Sequence, residues 1–443
     1  MFRVLSAALL SSVASVASAQ EITFDWSAEH RTRYQSLSDQ FRNNLDGSDQ
    51  AIVLRTLIAG EAKAGIITLG GEFQDSRSYL DDEGSAVGTN VVNAAEILQA
   101  YLALDLTEAS GADEASLTFG RQTIDLGSRR LVGRQRFRNS INAFTGARWS
   151  WAKGDASWDA FVFVPVEKRP FSADGRKDNV IQIDKENEDV LFWGVFYSRE
   201  GLPFDVMAEA YYFGLDFEAE GFATDQTLHT PGFRVRTKPK VNALDFEIEG
   251  VLQFGDRESV VLPSLATETL DVFAQYAHVE LGFTYDARFT PRVSVIYDFA
   301  SGDENSADGD FGRFNGLFGP VVGDFGPTDI YTAFGRENIS SPGFKIEGTH
   351  ADKAKAFVRY RAFFLDAPAD AWVRAGVRDL TGDSGDLVGH QVDARAQWTV
   401  IENRVSMATG GVVLARGPFA RDAAAGDKDP VSYYGYFEVT LRF

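Results

Sequence analysis

Apolar and polar residues alternate with a period of two along much of this chain. From Leu244 to Leu252, Leu244, Phe246, Ile248, Gly250 and Leu252 share one face and Asp245, Glu247 and Glu249 the other. Val358, Tyr360, Ala362 and Phe364 likewise oppose Arg359 and Arg361, and Val392, Ala394, Ala396, Trp398 and Val400 oppose Asp393, Arg395 and Gln397. The same reading makes Ala371–Arg378 a strand, with Ala371, Val373, Ala375 and Val377 against Arg374 and Arg378. Further dyads fall at 24–33, 52–58, 98–106, 191–197, 233–236 and 273–285. A strand with one apolar and one polar face divides two media. Residues 158–166 carry aromatics or valines on both faces and are left unoriented.

Turn-rich acidic stretches separate these runs, among them Asp81–Gly84, Asp184–Asp189 and Ser301–Asp310. Short links such as Asp366–Asp370 alternate with long ones, taken as Ser78–Val92 and Asp303–Thr349. Loops of that length are usually functional or disordered. After residue 19 no run of 18 apolar residues occurs, so no helix is expected to span a membrane. Counting dyads gives about 18 strands in a single transmembrane antiparallel β-barrel with long extracellular loops, occupying residues 20–443. The last stretch, Tyr433 to Phe443, alternates and ends on an aromatic, as closing strands of bacterial outer-membrane barrels do.

The N-terminus fits this compartment. Arg3, an apolar small-residue run from Val4 to Val16, and Ala17-Ser18-Ala19 read as a signal peptide over residues 1–19. There is no cysteine, which excludes disulfides and thiolate metal sites. The location expected is the outer membrane of a Gram-negative bacterium.

Charge then changes the picture. The formal net charge is −21, yet Arg121, Arg129, Arg130, Arg134, Arg136, Arg138 and Arg148 crowd into residues 119–149. Such a cluster needs anions near it. An anionic solute, a luminal network of carboxylates, and lipopolysaccharide at the outer rim are all candidates. On predicted inward faces stand Arg31, Arg33, Arg55, Arg148, Arg234, Arg236, Arg359, Arg361, Arg374, Arg378 and Arg395, and Arg121 joins them as a luminal candidate. Guanidinium forks match carboxylates and stay charged at any working pH. Spread over many strands, they suit repeated weak sites for an anion. Pairing with inward Glu209, Asp245, Glu247, Glu249 and Asp393 would instead brace the barrel.

Three blocks in order carry a family resemblance. They are Gly120-Arg121-Gln122 leading to Arg130-Leu131-Val132-Gly133 and Phe137-Arg138-Asn139-Ser140; Tyr297–Asp303 through Phe314–Phe318 to Arg336-Glu337-Asn338-Ile339; and Gly389–Trp398. In them the chain resembles the alginate export family of outer-membrane barrels. That resemblance implies an 18-stranded barrel whose arginine-lined lumen passes a polyuronate, with loops folded into the pore. Where many relatives carry basic residues after the middle block, this chain has Val321-Val322-Gly323-Asp324.

The partners expected are outer-membrane lipid and lipopolysaccharide, an anionic saccharide or small carboxylate, and a periplasmic export protein, but no nucleic acid. Enzyme motifs are weak: the five histidines form no H-x-x-x-H pair, and His390 with Ser384 is a poor dyad. No cofactor, metal or catalytic residue is expected. The rival classes are a small-carboxylate porin and a barrel enzyme or adhesin.

Overall fold

The computed structural model describes residues 21–218, 225–261, 266–351, 353–424 and 429–443, so the signal peptide expected at 1–19 lies outside the described residues. Strands β1 (Ile22–Ser38), β2 (Asp49–Ala64), β3 (Ile67–Tyr79), β4 (Asn93–Asp105), β5 (Glu114–Gln122) and β6 (Phe144–Lys153) begin the ring. It continues through β7 (Ala156–Glu167), β8 (Val190–Leu202), β9 (Val206–Phe217), β10 (Gln226–Thr237), β11 (Ala243–Val261) and β12 (Ala266–Thr284). It ends with β13 (Arg292–Ala300), β14 (Ile339–His350), β15 (Ala354–Phe364), β16 (Leu387–Ile401), β17 (Val405–Arg416) and β18 (Val431–Arg442). Each strand pairs antiparallel with the next, and β18 returns to β1 with Arg33 opposite Glu438 and Tyr34 opposite Phe437. The result is a closed 18-stranded antiparallel barrel.

Its two ends differ. The chain turns within 65–66, 154–155, 203–205 and 402–404 at one end, with Gly65 and Gly154 at φ of +57° and +56°. At the other end the connections run over 123–143, 168–189, 301–338 and 365–386. In outer-membrane barrels the short-turn end is the periplasmic one.

The register confirms the alternation. On β11, Leu244 and Leu252 are exposed on the outer wall while Asp245 and Glu249 are buried within. On β18, Tyr433 and Phe437 face out and Tyr434, Tyr436 and Glu438 face in. The stretch that alternation left unoriented is resolved too: Phe161 and Phe163 of β7 are buried inward and Val162 is exposed. Both faces are apolar there because aromatic rings fill the interior beside this strand. Phe318, from the connection 301–338, lies 5.0 Å from Phe144 and 4.9 Å from Phe192.

Three expectations are corrected. Ala371–Arg378 is not a barrel strand; it is a small hairpin, Ala371–Trp372 against Val377–Arg378, inside the connection 365–386. Gly376 in the left-handed region (φ +65°) breaks the run, and its apolar residues pack inside the loop instead of facing lipid. Trp372 is buried there, its Nε1 donating to Ala333 O at 2.7 Å. Asp366–Asp370, read as a short link, belongs to the same long connection. The long segments are also shorter than expected: β3 runs on to Tyr79, and β14 starts at Ile339, within the span assigned to a loop.

Candidate functional site

Connection 123–143 leaves β5 and enters the barrel, burying Ile124, Leu126, Leu131, Val132, Phe137 and Ile141. Inside it meets connection 301–338. Val132 bridges Phe318, whose N–H donates to Leu131 O at 2.9 Å. A Cβ at Gly319 would fall 1.6 Å from Arg130 O, so only glycine permits this approach.

Arg130 fastens the joint. It donates to Glu249 at 2.7 Å, to His278 Nε2 at 2.9 Å and to Asp324 at 3.3 Å, and also binds Glu247. Arg336 binds Asp324 as well and donates to Arg130 O at 2.9 Å. Burial alone would raise the Asp324 carboxyl, but the Arg130 and Arg336 guanidiniums outweigh it and hold it well below the usual carboxylate range. Asp324 is thus the acid that binds the two loops together.

The cluster predicted at 129–138 lies in the lumen, not at an outer rim facing lipopolysaccharide. The inward fold of Leu131, Val132 and Phe137 draws it there. Arg134 binds Glu72 at 2.7 Å, and Arg136 binds Asp125 at 2.7 Å with its side chain 67% exposed. Arg138 is half-buried with no ion pair among the described residues; desolvation, then Arg374, push it down to about 10, so it remains charged at neutral pH.

The strand arginines divide into two groups. In the first, Arg33 is fixed by Asp329 at 2.8 Å and Glu438 at 2.7 Å, and Arg148 by Asp159 at 2.6 Å. Arg234 is held by Glu209 at 3.0 Å and Glu247 at 3.1 Å, Arg359 by Asp393 at 3.0 Å and Arg361 by Asp298 at 2.7 Å. These brace the wall. Arg359 and Arg361 are fully buried beneath connection 301–338, donating to Gly323 O and to Asp324 O, the latter at 3.1 Å. Arg55 is also buried; it donates to the carbonyls of Arg136 and Arg138 at 3.0 Å and to Glu29 at 2.9 Å.

The second group has weak ion pairs or none. Arg31 has no ion pair among the described residues, but it is buried and its terminal nitrogens are taken by the carbonyls of Arg136, Phe137 and Arg138 and by Asn139 Oδ1, at 2.9–3.3 Å. Arg395 reaches Glu438 only at 3.4 Å, with a third of its side chain exposed. Among the described residues Arg236 donates only to the Met207 thioether, at 3.4 Å. Arg129 has neither an ion pair nor a side-chain hydrogen bond among the described residues. Arg31, Arg33, Arg129, Arg134, Arg136 and Arg395 surround a cavity of about 420 Å³, floored by Pro320–Pro327 of the second loop.

Three candidates fall elsewhere. Arg374 pairs with Glu337 at 2.5 Å and Arg378 donates to Ala369 O at 3.1 Å, both within the long-loop hairpin. Arg121 sits at the rim where β5 ends, tied to Glu96 and Glu186 at 2.8 Å each, so it does not line the passage. His390 is exposed on the outer wall against Tyr360 at 2.8 Å. Sequence reasoning missed Arg336 and Asp324 as partners of the cluster. Both lie in the middle motif block, but without alternation nothing local says where they point.

A barrel of this strand number, with arginines inside and loops folded into its bore, has the architecture of an outer-membrane porin. Among solved structures it is similar to Pseudomonas aeruginosa OccK9 (OpdG), with 11% identity, TM-score 0.60 and coverage of 95% of this chain and 98% of that one. Acinetobacter baumannii OccAB1 gives 12%, 0.59, 95% and 97%. Pseudomonas aeruginosa OccK2 (OpdF) in complex with glucuronate gives 12%, 0.56, 95% and 98%. A search of curated protein sequences finds no match. The alginate export family model matches residues 23–432, and the chain belongs to that family.

Proposed function

We propose that this protein, exported by residues 1–19, is a Gram-negative outer-membrane channel that passes small carboxylated solutes of uronate size. One observation carries the reading: the arginine-ringed cavity of about 420 Å³ bordered by the two joined loops. That volume suits a small solute. Acidic groups at its edge are already engaged, Asp324 by Arg130 and Arg336, Asp393 by Arg359, and Glu438 by Arg33. The field left for a solute is cationic, and low-dielectric walls focus it. The glucuronate bound in the OccK2 structure supports the choice of probe.

The test is a planar bilayer with a salt gradient. Reversal potentials should show anion preference, Arg136→Glu with Arg395→Glu should shift it toward cations, and glucuronate should block the wild-type current. A cation-preferring wild type, or no channel, would overturn the reading. Family membership keeps a second reading alive, a polyuronate cargo. Block by alginate oligomers without block by the monomer would favour it.

A further inference from the structure

A second cavity, of about 590 Å³, opens toward the short-turn end, where Gly154 and Asp155 join β6 to β7. Three cations face it: Arg129 from the loop tip, and Arg234 and Arg236 from β10. They are not equivalent. Arg234 stands opposite Glu209 across the strands and is held by Glu209 at 3.0 Å and Glu247 at 3.1 Å. Two residues further along β10, Arg236 stands opposite the Met207 thioether on β9 and opposite Glu247 on β11, but the Glu247 carboxylate is taken by Arg130 and Arg234. The Arg236 Nε–Sδ distance is 3.4 Å, a weak acceptor for a charged fork. Arg129 has no partner at all among the described residues. The acids near the cavity do not change this. Glu209 belongs to Arg234, Glu200 is bound by Lys238 at 2.9 Å, and Asp155 is exposed at the turn.

Arg129 is also held where it stands. Its N–H donates to Leu126 O at 2.8 Å, and its backbone is in the left-handed region at φ +65°, beside Gly127 at +50°. That conformation is strained for an ordinary residue. A Cβ at Gly133 would come within 2.7 Å of Arg129 Cβ, so that glycine makes room for the turn. Next to it, Arg130 clamps the loop to the wall. The free guanidinium thus sits on a fixed base, and it borders the central cavity as well as this one.

We infer that Arg129 and Arg236 form a second carboxylate-binding site, and that Arg129, shared by both cavities, transfers a solute carboxylate between them. The inference rests on the carboxylate-channel reading above. Two unmatched guanidiniums select a carboxylate over a spherical anion because each offers paired N–H donors. Two sites in series, each with an incomplete partner set, also meet the requirement that conduction bind a solute weakly and repeatedly.

Single-channel recording of the purified full chain with galacturonate tests this. Wild type should show two populations of blocking events. Arg236→Gln should shorten one about tenfold and leave the other, whereas Arg129→Gln should shorten both. Met207→Glu offers Arg236 a carboxylate across the strand pair and should remove the same population as Arg236→Gln, which guards against a misfolded glutamine variant. Heat-modifiable migration on gels reports barrel assembly in each. Arg236→Lys, keeping the charge without the fork, should fall between. A single wild-type population, or two that Arg236→Gln and Met207→Glu both leave intact, would overturn the second site while leaving the channel reading standing. No block by galacturonate in a conducting wild type would overturn both.

Discussion

Asp324 Oδ2 accepts from Arg130 Nε at 3.3 Å and from Arg336 as well, so one carboxylate ties the two loops that fill the barrel. Arg130 also reaches Glu249 on the wall, and the three-way joint fixes how much of the bore stays open. Removing one member of a buried charge cluster strands the others, at about 3–5 kcal/mol.

We expect Arg130→Ala to loosen both loops together. Single-channel traces should show larger and noisier conductance, and amide exchange should rise in 123–143 and 301–338 alike. Loosening of only one loop would refute the joint.

Deleting 309–326 removes Phe314, Phe318 and Asp324 from the bore. Conductance should rise, because the ring cluster around Phe318 and the floor of the central cavity go with it. An unchanged conductance would mean that another connection sets the constriction.

Arg361 and Arg395 sit on neighbouring strands and should answer differently. Arg361 is fully buried against Asp298 and Ser341, so Arg361→Ala should lower thermal stability without altering ion preference. Arg395 is partly exposed to the cavity, and Arg395→Glu should shift the reversal potential with little loss of stability. Melting curves and bilayer potentials on the same two variants separate bracing from conduction.

In connection 168–189, burial pushes Asp184 up to about 6 against a usual 3.8, although Asn93 and the Arg169 N–H donate to it. With the folded value raised, the folded state holds the proton more tightly. Stability should therefore fall as pH rises from about 4 to 6 and level off above. Asp184→Asn should abolish that slope and stabilise the loop at pH 7 by about 1–3 kcal/mol. Amide exchange of 168–189 against pH measures it; a slope of opposite sign would sink the assignment.

Alternation revealed the wall because lipid and water impose opposite demands on successive residues, as at Leu244 and Asp245. It failed where the second medium was not water. Phe161 and Phe163 face a bore packed with rings, so their strand looks apolar on both sides. Ala371 to Val377 mimic a strand because a loop buried inside the barrel also needs apolar residues. The arginine cluster at 129–138 was visible as an anomaly of charge, but its roles were not. Arg130 finds Glu247 and Glu249 more than a hundred positions away, while the Arg129 side chain beside it finds no ion pair among the described residues; no local pattern distinguishes two adjacent arginines.

The seam between β1 and β18 has a consequence for assembly. Arg33 meets Glu438 only when the last strand docks on the first, so until then a cation destined for full burial has one of its two carboxylates missing. The docking register is checked chemically. A slip of one residue would turn Glu438 toward lipid and Phe437 toward the bore, leaving Arg33 without its partner and the outer wall with a charge in hydrocarbon. The Arg33–Glu438 pair therefore works as a proofreading contact, which lets the ring shut in one alignment and penalises its neighbours.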